Sequence, residues 1–185
     1  NPKNPHRWSG AERWIQIEDS HELYNLGHMI EGAIAHYRAT GKRTFLDIAI
    51  RYADYVCREI GPNEGQQVRV PGHQIAEMAL AKLYTVTGEK KYLDEAKFFI
   101  DMRGRGEKGM DSYRQSHIPV IEQDEPVGHA VRAEYMYSGM ADVAALTGNK
   151  IYIAAIDKIW ENLVSKKLYL TGGVGARREG EAFGD

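Results

Sequence analysis

One cysteine, Cys57, is all the sequence offers. That excludes a disulfide within the chain and any cysteine-rich zinc site built from these residues alone. Its neighbours Tyr55 and Val56 fall in a helical apolar pattern, which predicts a small, half-buried core residue. No apolar run approaches the roughly 20 residues that a membrane-spanning helix needs. Neither charge is in excess, since 24 Lys and Arg face 26 Asp and Glu. Nothing therefore marks a polyanion or an anionic membrane as a partner, and neither nucleic acid nor membrane is expected. The sequence signatures of phosphate loops, dinucleotide loops and zinc-protease helices are all missing.

What remains is ordinary globular composition, 43% hydrophobic and 27% charged, which argues against disorder. A length of 185 residues suggests one domain. The chain opens on Asn-Pro-Lys-Asn-Pro without an initiator methionine and stops just after a glycine-rich stretch. A fragment is expected, and its localisation is left open.

Residues 1–19 read as an irregular lead-in anchored by Trp8 and Trp14. From Ser20 onward, apolar residues recur at three- and four-residue spacing in six successive segments, each a predicted helix. The first carries Leu26, Ile30, Ala33 and Ile34, and the last carries Tyr152, Ile156, Ile159 and Leu163, ending before Leu168. The segments pair. Thr-Gly closes the first helix of each pair, at 40–41, 87–88 and 147–148, with glycine where a helix C-cap favours it. An aromatic follows five residues after each Thr, as Phe45, Tyr92 and Tyr152. Gly-His pairs at 27–28, 72–73 and 128–129 stand near the start of each odd-numbered helix. This is a helical hairpin used three times.

Turns within hairpins are tight, while residues 61–71, 103–127 and 168–185 form long connections between or after them. Such asymmetry fits an all-α barrel of hairpins whose longer loops gather at one mouth, a place for chemistry. Six hairpins would close an (α/α)6 barrel. Three, over residues 20–185, make about half of one, leaving an exposed face through which a homodimer could form.

If the hairpins are radial, His28, His73 and His129 face one end, where imidazoles can bind sugar hydroxyls or move protons. Candidate acids there are Glu22, Glu122, Asp124, Glu125, Glu179 and Glu181, and spacing does not choose among them. Tyr113, Gln115, His117 and Gln123 in the long loop form a mixture suited to a sugar, with a ring to stack and amides to bridge hydroxyls. The same residues would serve a helical-repeat scaffold whose histidines are structural.

Ordered motifs narrow this reading. Tyr113-x-Gln-x-His117-x-Pro-Val120, then Glu122-Gln123 and Val127-Gly-His-Ala-Val-Arg-Ala133, resemble glycoside hydrolase family 127, the β-L-arabinofuranosidase family. His21-Glu-Leu-Tyr24, Pro71-Gly-His-Gln74 and Thr171-Gly-Gly-Val-Gly175 with Gly180-Glu-Ala-Phe-Gly184 match in the same order. The resemblance implies retaining hydrolysis of β-L-arabinofuranosyl linkages, with Glu181 as acid/base and His28, His73, His129 and Gln123 binding the carbohydrate. It also implies a cysteine thiolate nucleophile on zinc, whose ligands would lie beyond this chain, so the 185 residues alone are expected to be inactive. The rival six-hairpin readings are an unsaturated glucuronyl hydrolase and a sugar 2-epimerase.

Overall fold

Apolar residues confined to one stripe oblige a helix to lie on the outside of a bundle, and three helices have that pattern. In α2 (Thr44–Glu59) the buried residues are Leu46, Ala49, Ala53 and Val56, a single line down the helix. α4 (Lys90–Met102) buries a broader face around Tyr92, Phe99 and Ile100, and α6 (Lys150–Asn162) buries Tyr152, Ala155 and Ile159. The other three, α1 (Glu22–Thr40), α3 (Ala76–Thr87) and α5 (Ala130–Thr147), bury small residues such as Gly27, Ala79 and Gly139 among larger apolar ones and form the inner layer. α3 packs against α1 on one side, α5 on the other and α4 behind. Gly139 lets α5 approach it, since a Cβ there would sit 2.9 Å from Glu77 Cβ and 3.0 Å from Met78 N. The computed structural model describes residue 8, residues 10–106 and residues 111–184. Among them it is all-helical, with two isolated bridges and no strand. No described helix is long and apolar enough to cross a membrane.

The Thr-Gly turns work alike in each hairpin. Gly41, Gly88 and Gly148 take φ of 70°, 74° and 70°, the left-handed region that glycine enters without a Cβ clash. Each returns its N–H to the helix, at the carbonyls of Tyr37, Tyr84 and Ala144. The preceding threonine donates its hydroxyl four residues back, to His36, Leu83 and Val143. Both groups satisfy carbonyls that the helix end would leave unpaired.

The aromatic that follows ties one hairpin to the next. Tyr92 Oη donates to Asp54 Oδ1 at 2.6 Å, and Tyr152 Oη donates to Asp101. Asp54 and Asp101 are equivalent, each 14 residues after its Thr (54−40 and 101−87). Phe45 occupies the first repeat's aromatic position without a hydroxyl and is 37% exposed. At the other edge, Ile153 and Trp160 of α6 are exposed where their counterparts Leu93 and Ile100 of α4 are buried. That side of the array is open.

Two stretches add detail to the sequence reading. With Trp8 exposed, the described part of the lead-in is irregular and packs into the core through Trp14 and Ile17. It lies so close to the segment before α3 that a Cβ on Gly72 would fall 2.0 Å from Glu18 O. The last helix is also not uniform. α6 ends at Asn162, and residues Leu163–Lys167 form a π-helical turn that Leu168 N closes on Leu163 O at 2.9 Å.

If the tyrosine clasps hold the hairpins in register, Tyr92→Phe and Tyr152→Phe should each lower stability by about 1 kcal/mol. The double variant should lose about 2 kcal/mol. Urea unfolding measures this, and variants as stable as the parent would show that the clasps contribute nothing.

Candidate active site

The start of α5 positions one histidine closely. His129 is its N-cap, and its Nδ1 accepts the Arg132 backbone N–H at 3.3 Å. A ring nitrogen that accepts carries no proton, so the hydrogen of the neutral ring is on Nε2. That atom lies 2.8 Å from Glu181 Oε2 and donates to it. Glu181 reaches this position because the loop doubles back. Gly180 and Glu181 take consecutive left-handed φ values of 69° and 49°, a conformation that costs a non-glycine residue about 1–3 kcal/mol. Phe183 holds the bend closed. Its N–H donates to Gly128 O at 3.0 Å, and its ring is buried against Ala130, Ala133 and Leu163. The Glu181 side chain itself stays 77% exposed.

His73 has the opposite hydrogen-bonding pattern. Its Nδ1 donates to Gln74 O at 2.9 Å, which leaves the Nε2 lone pair to accept. Burial pushes its pKa down to about 4, with the Arg132 guanidinium adding to the effect. Burial and then Arg132 also lower His21, and the same pair lowers His129 against the opposing pull of Glu181. The His73 ring stands 5.6 Å from that of His129 and 5.5 Å from that of His21, centroid to centroid. The three form a row of neutral imidazoles beside one carboxylate.

His28 is placed differently from the reading by repeats. It lies inside α1, its ring 4.4 Å from Tyr24 and 5.9 Å from Tyr135. The residue preceding α1, as His129 precedes α5, is His21. The letters Gly-His recur at 27–28 for another reason. A Cβ on Gly27 would stand 2.6 Å from Ile75 Cγ2, so this glycine serves helix contact. Tyr24, which lies 4.4 Å from both His28 and His73, joins the two depths of the site. Sequence reasoning placed His21 and Tyr24 in a family motif but named neither as a site residue. The signal was their position at a helix start, and not the dipeptide.

Gln123 is also not where a ligand would meet it. It is buried, and its amide donates to Gln115 O at 2.8 Å and Ile118 O at 3.1 Å. It shapes the loop. Gln115, fully buried, donates to the carbonyls of Tyr113, Val127 and His129 and accepts from Gln74 Nε2 at 2.9 Å. Below it Arg103 reaches Pro71 O, Arg114 O, Ser116 Oγ and Glu77 Oε1 from an almost wholly buried position. A charge there is tolerated because it is paired and hydrogen-bonded.

No three His, Cys, Asp or Glu side chains of the described residues gather as a metal-binding group. Cys57 lies on α2, outside the histidine row, and burial pushes its thiol up, away from the thiolate that a nucleophile or zinc ligand requires. The described residues therefore offer no zinc donor set. A scaffold with structural histidines predicts Glu181 far from them, and the 2.8 Å contact runs against that.

Stacked hairpins with a carboxylate and a row of imidazoles at one end define a helical-hairpin domain, and the relatives narrow the class. The family model described as the β-L-arabinofuranosidase, glycoside hydrolase family 127 catalytic domain matches residues 1–185, and the chain belongs to that family. The non-reducing end β-L-arabinofuranosidase of Bifidobacterium longum subsp. longum is 36% identical, over 95% of this chain and 30% of that protein. A solved β-arabinofuranosidase of family 127 is 70% identical with a TM-score of 0.96, covering 100% of this chain and 29% of its own. Another, from Geobacillus stearothermophilus T6, is 47% identical with a TM-score of 0.88, over 93% and 30% of the two chains. The chain thus spans about 30% of the length of the relatives it matches.

His73 makes folding depend on pH. Between the ordinary imidazole value of 6.5 and the folded value of about 4, the unfolded chain binds a proton that the folded chain does not. Stability from this group is full above the unfolded value, falls as pH drops through that window, and levels off near the folded value. Urea midpoints at about pH 7 and about pH 5 should differ in that direction, and His73→Gln should reduce the difference. An unchanged difference would mean that His73 does not titrate this way.

Proposed function

We propose that this chain is part of an enzyme that hydrolyses β-L-arabinofuranosyl linkages with retention, and that Glu181 is its acid/base. The observation that carries the reading is the His129–Glu181 contact at 2.8 Å within a chain of family 127. With Nε2–H of His129 bound to Oε2, the carboxyl is oriented and Oε1 is left to hold the catalytic proton. Glu181 Oε1–H donates that proton to the glycosidic oxygen as the bond to the sugar breaks. The resulting carboxylate then takes a proton from the water that completes hydrolysis. His73 Nε2 accepts from a sugar hydroxyl, while His21 and Tyr24 extend the same wall. The histidine row is neutral, which suits a neutral sugar, because a charged imidazolium would favour an anionic one.

A thiolate nucleophile and its zinc would have to come from outside these 185 residues, and no step here runs through them. Neither rival six-hairpin activity is favoured by the relatives, both of those with stated linkages being β-L-arabinofuranosidases.

In the complete enzyme, Glu181→Gln should lower kcat/KM for a disaccharide by about 10²–10⁴-fold. The loss should be much smaller for an aryl glycoside whose leaving group needs no protonation. Equal losses on both substrates, or none, would remove Glu181 from the acid/base role. The 185 residues assayed alone should turn over neither substrate.

A further inference from the structure

A general acid stands at the bond that breaks, so the two halves of the substrate must lie on either side of it. The histidine row accounts for one side of Glu181. The residues flanking Glu181 in the chain, Gly180 and Ala182, line a cleft of about 400 Å³ to which none of the three histidines contributes. Tyr113 joins the two regions. Its ring meets that of His129 at 5.4 Å, edge to face, and it also forms a wall of the cleft.

The cleft is furnished for hydroxyl groups. Lys167 and Arg177 bring cationic donors, and Glu125 and Glu179 bring carboxylate acceptors. Val127 and Phe183 supply apolar surface between them. Lys167 is the telling residue. It ends the π-helical turn, and its side chain is only 7% exposed, with Nζ 3.7 Å from Glu125 Oε2. π-turns are rare and collect at functional sites. A lysine is seldom buried so far unless it is paired, and the carboxylate facing it is Glu125, on the cleft wall. Two cations balanced by two carboxylates leave the cleft without net charge, which fits a neutral polyhydroxyl group better than a uronate or a phosphate.

We propose that this cleft is the leaving-group subsite, and that Lys167 and Arg177 donate to the hydroxyls of a neutral sugar residue held there. The proposal rests on Glu181 as the acid/base. The arabinofuranosyl unit to be released then occupies the histidine side, and the sugar that departs with the glycosidic oxygen occupies the cleft.

Its test is made in the complete enzyme with two substrates, a disaccharide whose leaving group is a neutral pentose and the corresponding methyl glycoside. Lys167→Met should lower the ratio of kcat/KM, disaccharide over methyl glycoside, by about tenfold, as the loss of one hydrogen bond to a cation would. The loss should lie mainly in KM. Arg177→Met, at an exposed position, should act in the same direction and guards against a folding defect at Lys167. An unchanged ratio for both variants, whether activity falls equally or not at all, would overturn the subsite. Glu181→Gln retaining full activity on both substrates would instead remove the acid/base reading. A lowered ratio in the Lys167 and Arg177 variants would then still identify a binding site for the second sugar.

Discussion

The buried carboxamide of Gln115 is the point on which the site depends. Its nitrogen meets three backbone carbonyls, those of Tyr113, Val127 and His129, and its oxygen receives the amide of Gln74. Those carbonyls belong to the loop before α5 and to the N-cap of α5, and Gln74 follows His73 directly. One side chain therefore fixes both histidines relative to each other. Buried polar groups of this kind are costly unless satisfied, which is what makes such a hub specify one arrangement. Arg103 repeats the logic a layer below, joining the segment before α3 to the loop after α4 through Pro71, Arg114, Ser116 and Glu77. The helices provide the walls, but these two side chains set the mouth.

The electrostatics follow from that placement. Arg132 is buried beneath the site, bonded to Gly72 O and stacked 5.0 Å over Tyr113. A permanent cation so near discourages any of the three imidazoles from charging, and burial acts in the same direction. The histidines are thus kept as neutral hydrogen-bonding groups with assigned polarity. His129 donates toward Glu181 because its other nitrogen accepts from the helix, and His73 accepts because its other nitrogen is donating to Gln74. The backbone selects each tautomer.

Much of the architecture was legible in the sequence because it is local. Thr-Gly turns, helix periods and the repeated aromatic each depend on residues within a few positions of one another, and all six helices stand where the periodicity puts them. Glu181 was legible through family motifs, and its partner His129 through the same resemblance. Less was legible where meaning depends on distant contacts. Gly27-His28 looked like a repeat, but Gly27 answers to Ile75 and His28 to Tyr24. Gln123 looked like a sugar ligand and is bonded to backbone carbonyls. The π-turn that brings in Lys167 has no local signature, because Leu163 is apolar and correctly spaced for an ordinary helix.

The site depends on imidazoles that are neutral and oppositely polarised. Nitrogen-15 NMR of the histidine rings measures this directly on the 185-residue chain. We predict that His129 carries its proton on Nε2 and His73 on Nδ1, with both rings neutral at about pH 7. A protonated His129, or one with its hydrogen on Nδ1, would contradict the arrangement that aims Glu181.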